Sequence, residues 1–164
     1  MSEPPLFLPV VRRLALPQLR DTEILAGRLA AETRAGDLIT LSGPLGAGKT
    51  AFARGFIHSL GIAEEVPSPT FTLVQSYLAP DGREIAHFDL YRLESPDDVW
   101  ELGWEDVLLR AIVLIEWPER LETRLLPPDR LDIAFQPVGL ERREAEMTGH
   151  GSWAERLVQL GIGI

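Results

Sequence analysis

Eight consecutive residues, Gly43-Pro-Leu-Gly-Ala-Gly-Lys-Thr50, carry the strongest chemical signal in the chain. They match G-x-x-x-x-G-K-[ST] at every fixed position, a pattern suited to holding phosphate. Glycines let the backbone curl so that successive N–H groups converge on phosphate oxygens. A helix starting at the same place adds the positive end of its dipole. In that setting Lys49 reaches the β- and γ-phosphates of a nucleoside triphosphate, and the Thr50 hydroxyl ligates Mg²⁺. Gly43, Leu45, Gly46, Ala47, Gly48, Lys49, Thr50 and Ala51 are therefore read as nucleotide-binding residues. Pro44 has no N–H to offer, which is tolerable where the amides from Gly46 to Thr50 make the cradle. Composition singles out Lys49: 15 of the 16 basic residues are arginine, and Lys49 is the one lysine. A planar guanidinium is a poor substitute for a compact ammonium in a tight phosphate nest. A general preference for arginine explains the other positions but not this exception.

Other residues narrow the chemistry. A phosphate-loop GTPase reads guanine with N-K-x-D, and this chain has no asparagine and no second lysine, so ATP is the expected nucleotide. The apolar run Ala111-Ile-Val-Leu-Ile115 ends in Glu116, a Walker B pattern with the acid at the carboxyl end of a central strand. Glu116 could hold Mg²⁺ directly, hold it through water, or polarise an attacking water; the alternative is a strand-end acid facing solvent. Thr70, in Ser68-Pro69-Thr70, resembles a γ-phosphate-sensing switch threonine, although Ser-Pro-Thr is also an ordinary turn. In His87-Phe88-Asp89-Leu90-Tyr91-Arg92 the residues His87, Asp89 and Tyr91 share one strand face, which is either functional or the wet side of an edge strand. Trp117 reports on nucleotide, packs on a partner, or is a core-edge aromatic.

The elements that must position these residues follow from periodicity. Strands are expected at 10–16 and 37–42, and a helix from Asp21, with Asp21 or Thr22 as cap and Gly36 as stop. A second helix runs over 49–60. Strand-like runs at 71–78 and 84–90 flank Asp81-Gly82, a hairpin signal. Ser95-Pro96-Asp97-Asp98 starts a helix, and 111–115 reads as a strand buried on both faces. Strands near 130–136 and 141–148 and a helix over 152–160 complete the chain. The fold class is α/β: a three-layer sandwich of the phosphate-loop NTPase type, with a mixed, mostly parallel central sheet and an antiparallel edge. At 164 residues the expectation is one domain, residues 10–164, behind a loose tail, residues 1–9.

Composition sets the class of partner. There are 25 acidic residues against 16 basic, a net charge of −9, and so acidic a surface argues against direct nucleic-acid binding. The absence of cysteine excludes disulfides and thiolate metal sites. The start of the chain carries Glu3 and three prolines where a signal peptide needs an apolar helix. No apolar run approaches the ~20 residues that span a bilayer. A soluble, cytoplasmic protein is expected.

GPLGAGKT, SPTFTLVQSY, HFDLYRLE and IEWPER, in that order, resemble the TsaE (YjeE) family, and the likeness runs from about residue 14 to residue 160. These are bacterial ATPases needed for making threonylcarbamoyladenosine in tRNA. The resemblance implies ATP hydrolysis that is weak alone and depends on TsaB and TsaD. By the same resemblance TsaD transfers the threonylcarbamoyl group, this chain is expected to reset or drive that complex, and tRNA is expected to be met only indirectly. Carried over by motif, Lys49 and Thr50 are the phosphate and Mg²⁺ residues and Thr70 is the switch-like threonine. Asp89 is the functionally important aspartate, and Glu116 and Trp117 are the acid and tryptophan of E-W-P. Thr22, in Asp21-Thr22 or Thr22-Glu23, matches a position near adenine. Departures are Pro44 in place of an aspartate, Ala51 in place of a second threonine, and a longer amino terminus.

Partner dependence has a physical form: supplying a missing arginine to a phosphoryl-transfer site is worth about 10³–10⁵ in rate. Arg92 is a candidate in cis, a partner arginine the alternative. Glu94 to Asp106 holds six acids and no base. It is either a solvated helix face or a docking surface for a basic patch with its tryptophans as anchors. Two rival functions are a small-molecule kinase, which needs an acceptor pocket and usually an arginine-rich lid, and a nucleotide-sensing adaptor without useful turnover.

Overall fold

A computed structural model describes residues 8–164, so residues 1–7 of the expected tail lie outside it. Seven strands form one sheet: β1 (Val10–Leu16), β2 (Leu38–Ser42), β3 (Val74–Leu78), β4 (Glu84–Asp89), β5 (Ile112–Glu116), β6 (Arg130–Val138) and β7 (Arg142–His150). Their spatial order is β1-β7-β6-β2-β5-β4-β3. β6, β2, β5 and β4 are parallel to one another. Antiparallel pairing, expected at one edge, occupies both: β7 and β1 beyond β6, and β3 beyond β4. The hairpin across Asp81-Gly82 joins β3 to β4 as expected.

Period-2 alternation sorts the buried strands into two cores. Ile39 and Leu41 of β2 and Ile112 and Leu114 of β5 pack under helices α1 (Leu19–Ala31), α2 (Lys49–Ser59) and α4 (Ser152–Leu160). Leu38, Val113, Ile115 and Phe88 pack on the other face under α3 (Trp104–Arg110). The result is the expected three layers. The same alternation aims the polar residues. Ile85 faces the α1–α2 side, so His87 and Asp89 face it too, and Glu116 follows Leu114 onto the same side.

Local chemistry moves several boundaries. α1 begins at Leu19, capped by Gln18, whose N–H donates to Asp21 Oδ2 at 2.9 Å. Asp21, expected as the cap, is thus the third helical residue. Phe71–Leu73, expected in a strand, lies before β3. Leu73 adopts a left-handed conformation (φ 67), and its carbonyl accepts the Asp89 N–H at 2.9 Å, which seats the preceding loop over Asp89. Ser95-Pro96 opens a 3₁₀ stretch, Pro96–Leu102, in place of an α-helix. Trp104 is not a surface anchor: it is buried and meets Phe88 edge-on at 5.4 Å. Of the tryptophans in the acidic stretch only Trp100 is exposed.

Candidate functional site

The loop between β2 and α2 opens on a cleft of about 570 Å³ at the carboxyl ends of the parallel strands. Gly48 caps α2 with φ 104, a backbone conformation that glycine adopts without strain. Gly46, Gly48, Lys49, Thr50, Leu45 and Ala51 all line the cleft. Gly43 and Ala47 do not line it. A Cβ at Gly43 would collide with the carbonyl oxygen of Phe135, so this glycine lets the loop pass against β6. Ala47 is buried in the core, and its N–H is spent on Pro44 O at 3.1 Å.

Lys49 is 5% exposed. Its ammonium donates to Gly43 O and lies 3.5 Å from the centroid of the Trp117 ring, a cation–π contact. Burial holds its pKa below the ordinary lysine value, while the charges of Glu116, Glu119 and Asp89 pull it back up. A triphosphate in the cleft supplies charge that acts in the same direction as those carboxylates. Trp117 is itself in the left-handed region (φ 61) and packs on Tyr91 at 4.9 Å.

Two carboxylates form the far wall. Glu116 is 2% exposed. Its Oε1 accepts the Thr50 hydroxyl at 2.9 Å, and its Oε2 lies 2.7 Å from His87 Nε2. The strand-end acid therefore faces the cleft floor and not solvent. Asp89 is 3% exposed. Its Oδ2 accepts Ser68 Oγ at 2.6 Å and Thr70 Oγ1 at 3.0 Å, and its Oδ1 accepts the Tyr91 N–H at 3.0 Å. The wet-edge reading of this strand fails, because β4 lies inside the sheet between β5 and β3. Thr70 thus belongs to a built polar contact and not to a free turn.

A hydroxyl and a carboxylate converging beside the start of α2 suit Mg²⁺, which is usually held by one or two side chains together with substrate phosphates. Thr50 and Glu116 supply that sparse set. Among the described residues no group of three or more His, Asp or Glu is placed to hold a metal. Among them too, no helix is long and apolar enough to cross a membrane.

A family model described as threonylcarbamoyl adenosine biosynthesis protein TsaE matches residues 16–145. The chain belongs to the TsaE family. TsaE proteins (tRNA threonylcarbamoyladenosine biosynthesis protein TsaE) similar to it include one from Rickettsia felis, 43% identical over 70% of this chain and 67% of that one. The Bacillus subtilis protein of the same name is 38% identical over 85% and 86%, and the Mycobacterium tuberculosis one 40% over 75% and 77%. Among solved structures, YdiB from Bacillus subtilis superposes with a TM-score of 0.75 at 31% identity, covering 94% of this chain and 97% of that one.

In this TsaE-family chain Thr22, Thr70, Asp89, Glu116 and Trp117 line the cleft together with the loop. Arg92 also lines it, with its guanidinium 4.6 Å from the Phe71 ring. Residues that sequence reasoning missed are Ser68, at Asp89, and Gln18, Leu19, Glu141 and Arg143 at the opposite end. Ser68 stood inside a motif already singled out. Arg143 donates to Gly46 O at 2.9 Å from β7, a contact with no local signature.

Proposed function

We propose that the protein is a Mg²⁺-dependent ATPase that serves the addition of threonylcarbamoyl to adenosine in tRNA, acting with TsaB and TsaD and meeting tRNA only through them. A cytoplasmic setting fits this role. The observation that carries the reading is the convergence, in one cleft, of Lys49 and Thr50 with the Glu116 carboxylate and the Asp89–Ser68–Thr70 cluster. The names of the relatives supply the pathway.

Each residue then has a physical task. The loop amides and Lys49 neutralise the β- and γ-phosphates. Thr50 and Glu116 would hold Mg²⁺, which would supply positive charge against the developing phosphate charge. Glu116 is also placed to orient an attacking water. Asp89 holds Ser68 and Thr70 so that the loop carrying them lies against the γ-phosphate end. Leu19, Thr22 and Ala51 offer a mostly apolar bed for the nucleoside. Net charge keeps the protein off nucleic acid by itself.

The deciding experiment is phosphate release from ATP by the purified chain, with and without the TsaB–TsaD pair, for wild type and Lys49→Ala. Stimulation by the pair that Lys49→Ala abolishes is expected. No stimulation, or equal rates in the two proteins, overturns the reading.

A further inference from the structure

His87 is fully buried on β4, behind the cleft wall and outside its lining. Its Nε2 lies 2.7 Å from Glu116 Oε2. A charged carboxylate only accepts, so with Glu116 in that form the imidazole is the donor of this bond. The other ring nitrogen, Nδ1, is buried with no partner among the described residues. Leucine or phenylalanine would fill this interior position without an orphaned polar atom, and the bond to Glu116 is the one polar contact the imidazole makes among the described residues.

We infer that His87 is a positioning residue for Glu116: by holding Oε2 it fixes the carboxylate so that Oε1 faces Thr50 and the Mg²⁺ position. The strand register makes this possible. Asp89 pairs with Glu116 and His87 with Leu114 across β4 and β5, so the imidazole sits one step behind the carboxylate on the same face. Glutamate has three rotatable side-chain bonds, and the contacts with Thr50 and His87 are the two that fix the carboxylate at their end. One oxygen on Thr50, at 2.9 Å, would leave the group free to swing about that contact. A second anchor removes the swing, as outer-shell partners do for metal-ligating side chains generally. His87 touches neither nucleotide nor metal; it acts through Glu116. The inference rests on the proposed binding of Mg·ATP.

The test compares His87→Gln with His87→Asn. Both replace the ring by a buried amide, but the glutamine nitrogen reaches the place of Nε2 and the asparagine nitrogen stops near that of Nδ1. The measurement is ATP affinity by calorimetry, in EDTA and in Mg²⁺, for each protein. His87→Gln is expected to keep most of the gain in affinity that Mg²⁺ brings to wild type. His87→Asn is expected to lose about tenfold or more of that gain with its affinity in EDTA unchanged. The phosphate-release rate follows the same split. Equal behaviour of the two variants, whether both intact or both impaired, overturns the inference and leaves His87 as packing. So does a wild type whose affinity Mg²⁺ does not alter. A third arm does not depend on His87→Asn folding. In a Glu116→Ala background, His87→Leu should cause no further loss of the Mg²⁺ effect, and an additional loss overturns the inference. A wild type that binds no ATP at all overturns the proposed function itself, a result separate from these.

Discussion

Two carboxylates in this molecule have the same kinds of partner. Glu116 is met by the hydroxyl of Thr50 and the imidazole of His87, at 2.9 and 2.7 Å. Asp132 is met by the hydroxyl of Thr40 and the imidazole of His150, at 2.6 and 2.9 Å. The difference lies in what surrounds each. Asp132 also receives Arg130 Nε at 3.1 and 3.2 Å, so its charge is balanced within its own cluster. It sits near the amino end of β6 on the opposite face of the sheet. Among the described residues no arginine bonds to Glu116, which closes β5 at the carboxyl end and lines the cleft. A Thr–carboxylate–His cluster is thus not a site by virtue of its members. It becomes one where the strands present the carboxylate to a pocket that it shares with the Lys49 charge, and not where an arginine of its own cluster closes it off.

The contrast can be broken in several ways. The largest effect is expected at Glu116→Gln, whose phosphate-release rate should fall by about 10²-fold or more, while Asp132→Asn stays close to wild type. Similar rate losses in both would erase the distinction. Next is ligand protection: Mg·ATP at a hundred times its dissociation constant adds about 2.7 kcal/mol, about 5–10 °C in a thermal melt of a chain this size. Asp132→Asn should keep that shift, and Glu116→Gln should lose the part that Mg²⁺ contributes. The smallest is in stability without ligand. Thr40→Val, which removes one of the two donors to Asp132 Oδ1 and leaves Arg130 on it, should cost about 1 kcal/mol in urea unfolding and leave ATP affinity alone. A Thr40→Val chain that binds ATP poorly would mean that the two clusters are coupled.

Local signals and cross-chain contacts were legible to different degrees. The phosphate loop, the acid ending β5 and the Asp81-Gly82 hairpin are written in neighbouring residues, and all of them stand in the structure. The partners of the carboxylates are not: Thr50 and Glu116 are 66 residues apart, His87 and Glu116 29, and Arg143 and Gly46 97. Strand order alone brings them together, and periodicity does not encode strand order. The polar face of β4 showed this limit directly. Alternation placed His87 with Asp89 but left edge and interior strand equally open, and pairing with β5 decides it. The start of α1 was misread because glutamine is not a favoured cap; the Asp21 side chain, on the Gln18 N–H, does the capping. Trp104 was misread because acidic neighbours on a short element hide one inward-facing aromatic.

The order of the strands also has a consequence in time. β2, which carries the phosphate loop, is flanked by β5 and β6, and both leave the ribosome long after it. β1 pairs with β7, and Arg13 on it exchanges backbone hydrogen bonds with Ile164, so it must wait for residues more than a hundred positions later in the sequence. Non-local pairing of this kind is slow, and during synthesis both edges of β2 and the apolar side of β1 lack their partners. A nascent chain released before β6 therefore carries the glycine loop on a strand with one edge unpaired and lacks Glu141 and Arg143 of the cleft. If the cleft binds ATP as proposed, the nucleotide would favour chains in which β6 and β7 have already paired over those in which they have not.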